Sequence, residues 1–167
     1  MLDLFVAFML HLPSVNETPE VLADQVAAAQ NAASEDLPVE LLLAVGYFES
    51  HYQATATSVL INGVRRTGPW RSTRRPKGQL ASLHCGVTQA TARTWAECLQ
   101  LRDPDLAYIA LADSLARWLV RAKGNIKRVL DGYGCGNRGF RTGRCNRYPA
   151  RVLHLMRRLQ NLTAGAV

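Results

Sequence analysis

Leu41 to Phe48, LLLAVGYF, carries no charged or amide side chain. A helix written this way has no polar face to offer water, so it must stand inside a core with other elements packed around it. The run ends abruptly in Glu49 and Ser50. A carboxylate set against Leu, Val and Phe side chains loses hydration. That loss disfavours its charged form and raises its pKa, as a general acid working near neutral pH requires. The pattern equally fits a plain helix end, where a buried segment emerges into solvent.

The chain of 167 residues suits one domain, 1–167, with a core of its own. At 48% hydrophobic residues it is globular, not disordered. Twenty Lys and Arg against 13 Asp and Glu give a formal charge of +7, which favours an anionic partner. Nucleic acid, a membrane surface and an acidic polymer such as bacterial cell wall all qualify. No apolar run is long enough to span a bilayer. The opening MLDLFVAFML is apolar but carries Asp3, lacks a basic n-region and precedes no small-x-small cleavage site. It is expected as a terminal helix docked on the domain, not as a signal peptide.

Cys85, Cys98, Cys135 and Cys145 allow three full pairings, and sequence does not choose among them. Cys135 and Cys145 bracket the Gly- and Arg-rich stretch GNRGFRTGR, which makes them the favoured pair in an oxidising compartment. A zinc site with His84 or His51 is disfavoured, because no C-x-x-C pair or helical His pair is present, and no metal or other cofactor is expected.

Thr18-Pro19 reads as N-cap and first position of a helix to about Ala33, with Val21, Leu22, Val26 and Ala29 at helical spacing. Ser34-Glu35-Asp36 opens the next helix, with Pro38 in its first turn. Val59–Ile61, Asn62-Gly63 and Val64–Arg66 form a hairpin signal, since Asn-Gly supplies the positive φ angles of a tight turn. A basic loop around Trp70, with Arg71, Arg74, Arg75 and Lys77, completes an insert over 59–80. A helix is expected from about Thr88 to Leu101, and another from Asp103-Pro104 to about Lys123. Leu106, Ile109, Ala110, Ala116, Leu119 and Val120 are its expected buried face. Asn125 to Leu130 reads as a short helix, and Gly132 to Arg147, with five glycines, as a loop able to approach a ligand closely. Pro149 starts a last helix. The chain is therefore expected to be mainly α with one small β-hairpin.

Four segments in order resemble the soluble lytic transglycosylases and goose-type lysozymes. ESHYQATATS (49–58) is similar to their Glu-Ser segment, with a second serine nine positions on, here Ser58. GVTQATARTW (86–95) is similar to their Gly-x-Met-Gln segment, through Gly86, Gln89, Thr94 and Trp95. Residues 103–136 resemble the long helix, short helix and Tyr-Asn-Ala-Gly turn, and NRYPARVLHLMRRL (146–159) the closing helix. Thr88 stands in place of the usual methionine, Gly134 in place of the asparagine and Cys135 in place of the alanine.

The resemblance implies a lysozyme-like α+β domain with the hairpin beside the catalytic helix. It implies cleavage of the MurNAc–GlcNAc bond of peptidoglycan by Glu49 as single acid and base, giving a 1,6-anhydro sugar. Gln89 and Ser58 would bind sugar, Tyr133 would sit over the cleft, Tyr148 would line its floor and Ser50 would orient the helix end. No second acid stands out: Asp103, Asp105 and Asp113 read as helix-start and surface acids. With a bound water instead, the same site would act as a lysozyme. The size and charge suit a virion-associated, phage-encoded protein or a transglycosylase of a secretion apparatus, working in periplasm or cell wall. Two rivals stand beside this: a silent relative that binds wall or serves structurally, and a nucleic-acid binder using Arg65 to Lys77 and the last helix.

Overall fold

The computed structural model describes residues 2–61, 64–67 and 81–165. In chain order the elements are helices α1 (Leu2–Leu10), α2 (Pro19–Ala32) and α3 (Val39–Ser50), then strands β1 (Thr57–Ile61), β2 (Val64–Thr67), β3 (Ala81–Cys85) and β4 (Ala90–Ala92). Helices α4 (Trp95–Gln100), α5 (Pro104–Ala122), α6 (Ile126–Thr142) and α7 (Tyr148–Ala164) follow. The fold is mainly helical with one small antiparallel sheet, strand order β2-β1-β3-β4.

Helix α3 takes the central position its composition demands. Leu41 through Val45 are all inaccessible, walled in by α2, α5 and α7. Helix α1 docks as expected, burying Phe5 and Met9 against α2 and α7. Thr18 caps α2 by accepting from the Val21 N–H, and Pro19 opens it. Pro38 is the residue before α3 rather than within its first turn, and Ser34 instead caps the preceding loop through the Leu37 N–H.

Two non-glycine residues in the left-handed region end α3: His51 at φ 56° and Tyr52 at φ 67°. L-residues pay for that conformation. The compensation is visible in Tyr52, whose ring is fully buried and whose carbonyl accepts from the buried Gln25 side chain. The chain thus reverses directly behind Glu49 and enters the sheet. Ile61 pairs with Val64, so the hairpin connection is two residues long as expected. The Asn62-Gly63 turn and the basic loop around Trp70 lie outside the described residues. A small second cluster, Val59, Leu83, Cys85, Ala92 and Cys98, packs beneath the sheet.

Three further expectations fail. Residues 88–101 are not one helix: Gly86–Gln89 is a turn, 90–92 a strand and only Trp95–Gln100 helical. Gln89 at φ 50° breaks any helix there, and Thr94 caps α4 afresh while Glu97 accepts from the Arg93 N–H. The Cys85–Cys98 disulfide ties β3 to α4. On α5 the buried face is rotated from the expected one: Ala107, Tyr108, Leu111 and Leu115 face the core, whereas Leu106, Ile109 and Val120 are exposed. Tyr108 reaches α3, where a Cβ on Gly46 would lie 2.6 Å from its hydroxyl oxygen. Finally, 132–142 is helical, continuing α6 past a break at Gly136 (φ 62°, ψ −157°).

That last difference has a packing cause. A Cβ on Gly139 would lie 2.3 Å from the Asp131 carbonyl oxygen and 2.5 Å from the Cys135 Cβ. The glycine lets the two arms of α6 touch, and the Cys135–Cys145 disulfide closes the corner. With both disulfides formed, no thiolate remains to bind zinc.

Tyr108 is fully buried and its hydroxyl has no partner among the described residues. Burial holds its phenol well above the ordinary range, as it does for Tyr52. A folded pKa raised above the unfolded value of about 10 gives stability that is whole below that pH and lost above it. Tyr108→Phe is therefore expected to be neutral or stabilising by up to about 1–3 kcal/mol at pH 7. It should also shrink the alkaline loss seen in urea melts. A strongly destabilised Tyr108→Phe protein would contradict this.

Candidate functional site

The site grows from the C-terminal end of α3. Glu49 is half-buried, and its Oε1 accepts from the Tyr148 hydroxyl at 2.7 Å across 99 residues of sequence. Tyr148 is the first residue of α7, a helix set close by the disulfide three residues upstream. Phe48, Asn146, Arg147, Tyr148 and Arg151 line a cleft of about 660 Å³ beside this pair.

The next residue of α3 holds the site to the turn after β3. Ser50 Oγ is buried and donates to the Val87 carbonyl at 2.7 Å. Tyr133 on α6 donates to the neighbouring Thr88 carbonyl at 2.8 Å. Ser58 on β1 donates to Gln89 Oε1 at 2.7 Å, while Gln89 Nε2 donates to the Ala56 and Gly86 carbonyls, each at 3.1 Å. The turn 86–89 is thus a knot into which α3, β1 and α6 are tied. The six candidate residues gather at two points: Glu49 with Tyr148, and Ser50, Tyr133 and the Ser58–Gln89 pair on the turn.

Local sequence explains the knot. Gly86 has φ 73°, and a Cβ there would fall 1.8 Å from the Leu101 carbonyl oxygen, so no other residue fits. Thr88 is fully buried and its hydroxyl donates to the Ala107 carbonyl at 3.1 Å, fastening the turn to α5. A methionine at that position would leave that carbonyl without this donor. Ser58 and Gln89 are buried against each other. Their hydrogen bonds to each other and to the Ala56 and Gly86 carbonyls brace the turn. His84 contacts Ser82 Oγ at 2.8 Å and the Gln89 carbonyl at 3.2 Å, which steadies the same turn from β3.

Gly134 is the residue that sequence reasoning undervalued. A Cβ there would lie 2.7 Å from Tyr148 Cδ1, 3.0 Å from Cε1 and 3.1 Å from the Cys145 sulfur. An asparagine would occupy the space that the Tyr148 ring fills. The departure at this position therefore accompanies the Glu49–Tyr148 contact rather than weakening it. The signal available in sequence was the pairing of a small residue with two cysteines and a tyrosine near one loop.

The acids behave as surface or structural groups. Asp103 caps α5 by accepting from the Leu106 N–H, and Asp105 and Asp113 are exposed. Asp131 is buried and paired with Lys127 at 3.0 Å. No carboxylate is among the described residues lining the cleft beside Glu49. No group of three or more His, Cys, Asp or Glu placed to hold a metal ion occurs among the described residues.

Gly134→Ala should cost about 1–3 kcal/mol by overpacking. Urea unfolding of Gly134→Ala, Tyr148→Ala and the double variant checks the cause. The penalty at 134 should largely vanish when the ring is absent, and strict additivity would contradict the contact.

Comparison with known proteins adds no counterpart: no family model, no curated protein and no solved structure matches the chain.

Proposed function

We propose that the protein is a peptidoglycan-cleaving lytic transglycosylase built on a lysozyme-like domain. The observation that carries this reading is the Tyr148 hydroxyl at 2.7 Å from the Glu49 carboxyl, at the end of a buried helix and beside an open cleft. The resemblance of the four ordered segments supports it from sequence.

In this reading Glu49 begins protonated and gives its proton to the glycosidic oxygen between MurNAc and GlcNAc as the bond from that oxygen to C1 breaks. The resulting carboxylate accepts the proton of the muramic C6 hydroxyl. That oxygen forms the new bond to C1 and closes a 1,6-anhydro ring. The proton returns to Glu49, so no water is consumed and no second carboxylate is needed, unlike the paired-acid glycosidases. The nucleophile belongs to the substrate and carries the effective-molarity advantage of a tethered group. Tyr148 fixes the orientation of the carboxyl. Ser50 and Tyr133 act behind it, holding α3 and α6 to the turn 86–89. The substrate is the glycan strand of the wall. The place of action is the periplasm or cell wall, reached as part of a virion or of a secretion apparatus.

Glu49→Gln is expected to lower solubilisation of purified sacculi at least about a hundredfold. Its circular dichroism and melting temperature should stay near wild type. Tyr148→Phe, which keeps the ring and removes the donor, is expected to lose about ten- to a hundredfold through misplacement of the carboxyl. Undiminished solubilisation by Glu49→Gln would refute the reading.

A further inference from the structure

The cleft beside Glu49 is basic on one side. Arg147 and Arg151 flank Tyr148 in sequence and line the cleft with it. Both are exposed, and neither pairs with a carboxylate among the described residues. Arg151 is nonetheless held in place, its guanidinium lying 4.9 Å from the centre of the Phe48 ring, next to Glu49. Stacking on an aromatic face leaves the edge of the guanidinium, with its N–H donors, free to meet an anion.

The basic side continues. Asn146 also lines a second cleft of about 590 Å³, shared with Arg138, Arg144 and the Cys135–Cys145 disulfide. Arg138 and Arg144 are exposed and likewise have no carboxylate partner among the described residues. Four arginines thus run from the Tyr148–Glu49 pair to the disulfide. The disulfide and the Gly139 contact hold this corner together. Guanidinium groups match the planar, two-oxygen geometry of carboxylates, with N–H donors arranged in a fixed fork.

We propose that Arg147 and Arg151, continued by Arg138 and Arg144, form a carboxylate-binding track that seats the muramyl carboxylates of a glycan strand beside Glu49. The inference rests on the wall-cutting reading above and adds to it a preference for charged over neutral strands. A strand offers such carboxylates from two sources: the stem peptide, or the lactyl group where the peptide has been removed. Either one repeats once per disaccharide, which suits a track better than a single pocket.

The test compares wild type with the Arg147→Gln/Arg151→Gln variant on native sacculi, on sacculi stripped of stem peptides by an amidase, and on sacculi whose carboxylates have been amidated. Cleavage is followed as KM and kcat, and binding by co-sedimentation in a Glu49→Gln background. The double variant should raise KM on native sacculi on the order of tenfold, with kcat changed less. Wild type should fall to the variant's level once the carboxylates are amidated, and Arg147→Lys/Arg151→Lys should recover part of the affinity. Retention of the wild-type advantage on stripped sacculi shows that the track takes the lactyl carboxylate freed by the amidase as well as the stem-peptide carboxylates of native wall, and its disappearance there assigns the stem peptide alone.

An equal loss on native and amidated sacculi would overturn the proposal, as would no loss on either. So would duplex DNA binding that exceeds sacculus binding at physiological salt and disappears in the same variant. If no sacculus is cut, the wall-cutting reading fails, while co-sedimentation still decides whether these arginines bind wall carboxylates.

Discussion

Burial of α3 on every side is the constraint on which the rest depends. Leu41 to Val45 cannot meet water, so α2, α5 and α7 must close around them, and the polar residues that follow appear where that enclosure ends. Glu49 is half-buried for that reason, and Ser50 fully so. The left-handed pair His51 and Tyr52 then turns the chain at once, with Tyr52 driven back into the core. One half-buried carboxyl group is left at the end of the apolar run, bonded to Tyr148, which itself lines a cleft.

Precision at that margin is supplied from far away in sequence. Tyr148 arrives on α7, Tyr133 on α6, and the turn 86–89 between β3 and β4. Each arrival relies on a residue with little room to change. Gly86 admits the Leu101 carbonyl, Gly134 admits the Tyr148 ring, and Gly139 lets α6 fold onto itself. The two disulfides secure the turn side and the α6–α7 corner. A site resting on packed helices and closed corners holds its geometry better than one resting on a loop, as positioning of a reacting group requires.

Much of this was legible in the sequence because it rests on local rules. Apolar saturation marked α3, Thr18-Pro19 and Asp103-Pro104 marked two helix starts, and the cysteines around GNRGFRTGR marked the staple. Sequence marks Glu49 and Tyr148 separately, but not the contact between them. What escaped depended on close approach of distant parts. The glycines after Asp131 suggested a loop, yet Gly139 serves helix-against-helix packing. The helical spacing of 88–101 concealed a turn fixed by Gly86 and Gln89 and a strand paired with β3. On α5 the aliphatic Leu106, Ile109 and Val120 lie outside, because Ala107, Tyr108, Leu111 and Leu115 form the buried face, with Tyr108 against Gly46 of α3. Ser58 and Gln89 each stand out in the sequence, but their bond to each other is a tertiary fact that no spacing rule contains.

The proposal that one carboxyl group performs both proton transfers makes a statement about mass. Mass spectrometry of the fragments released from peptidoglycan reads it directly. The account predicts muropeptides ending in 1,6-anhydro-muramic acid, with no water added across the broken bond. Fragments one water heavier, carrying a reducing end, would contradict it and require a group in the cleft that holds a nucleophilic water opposite Glu49.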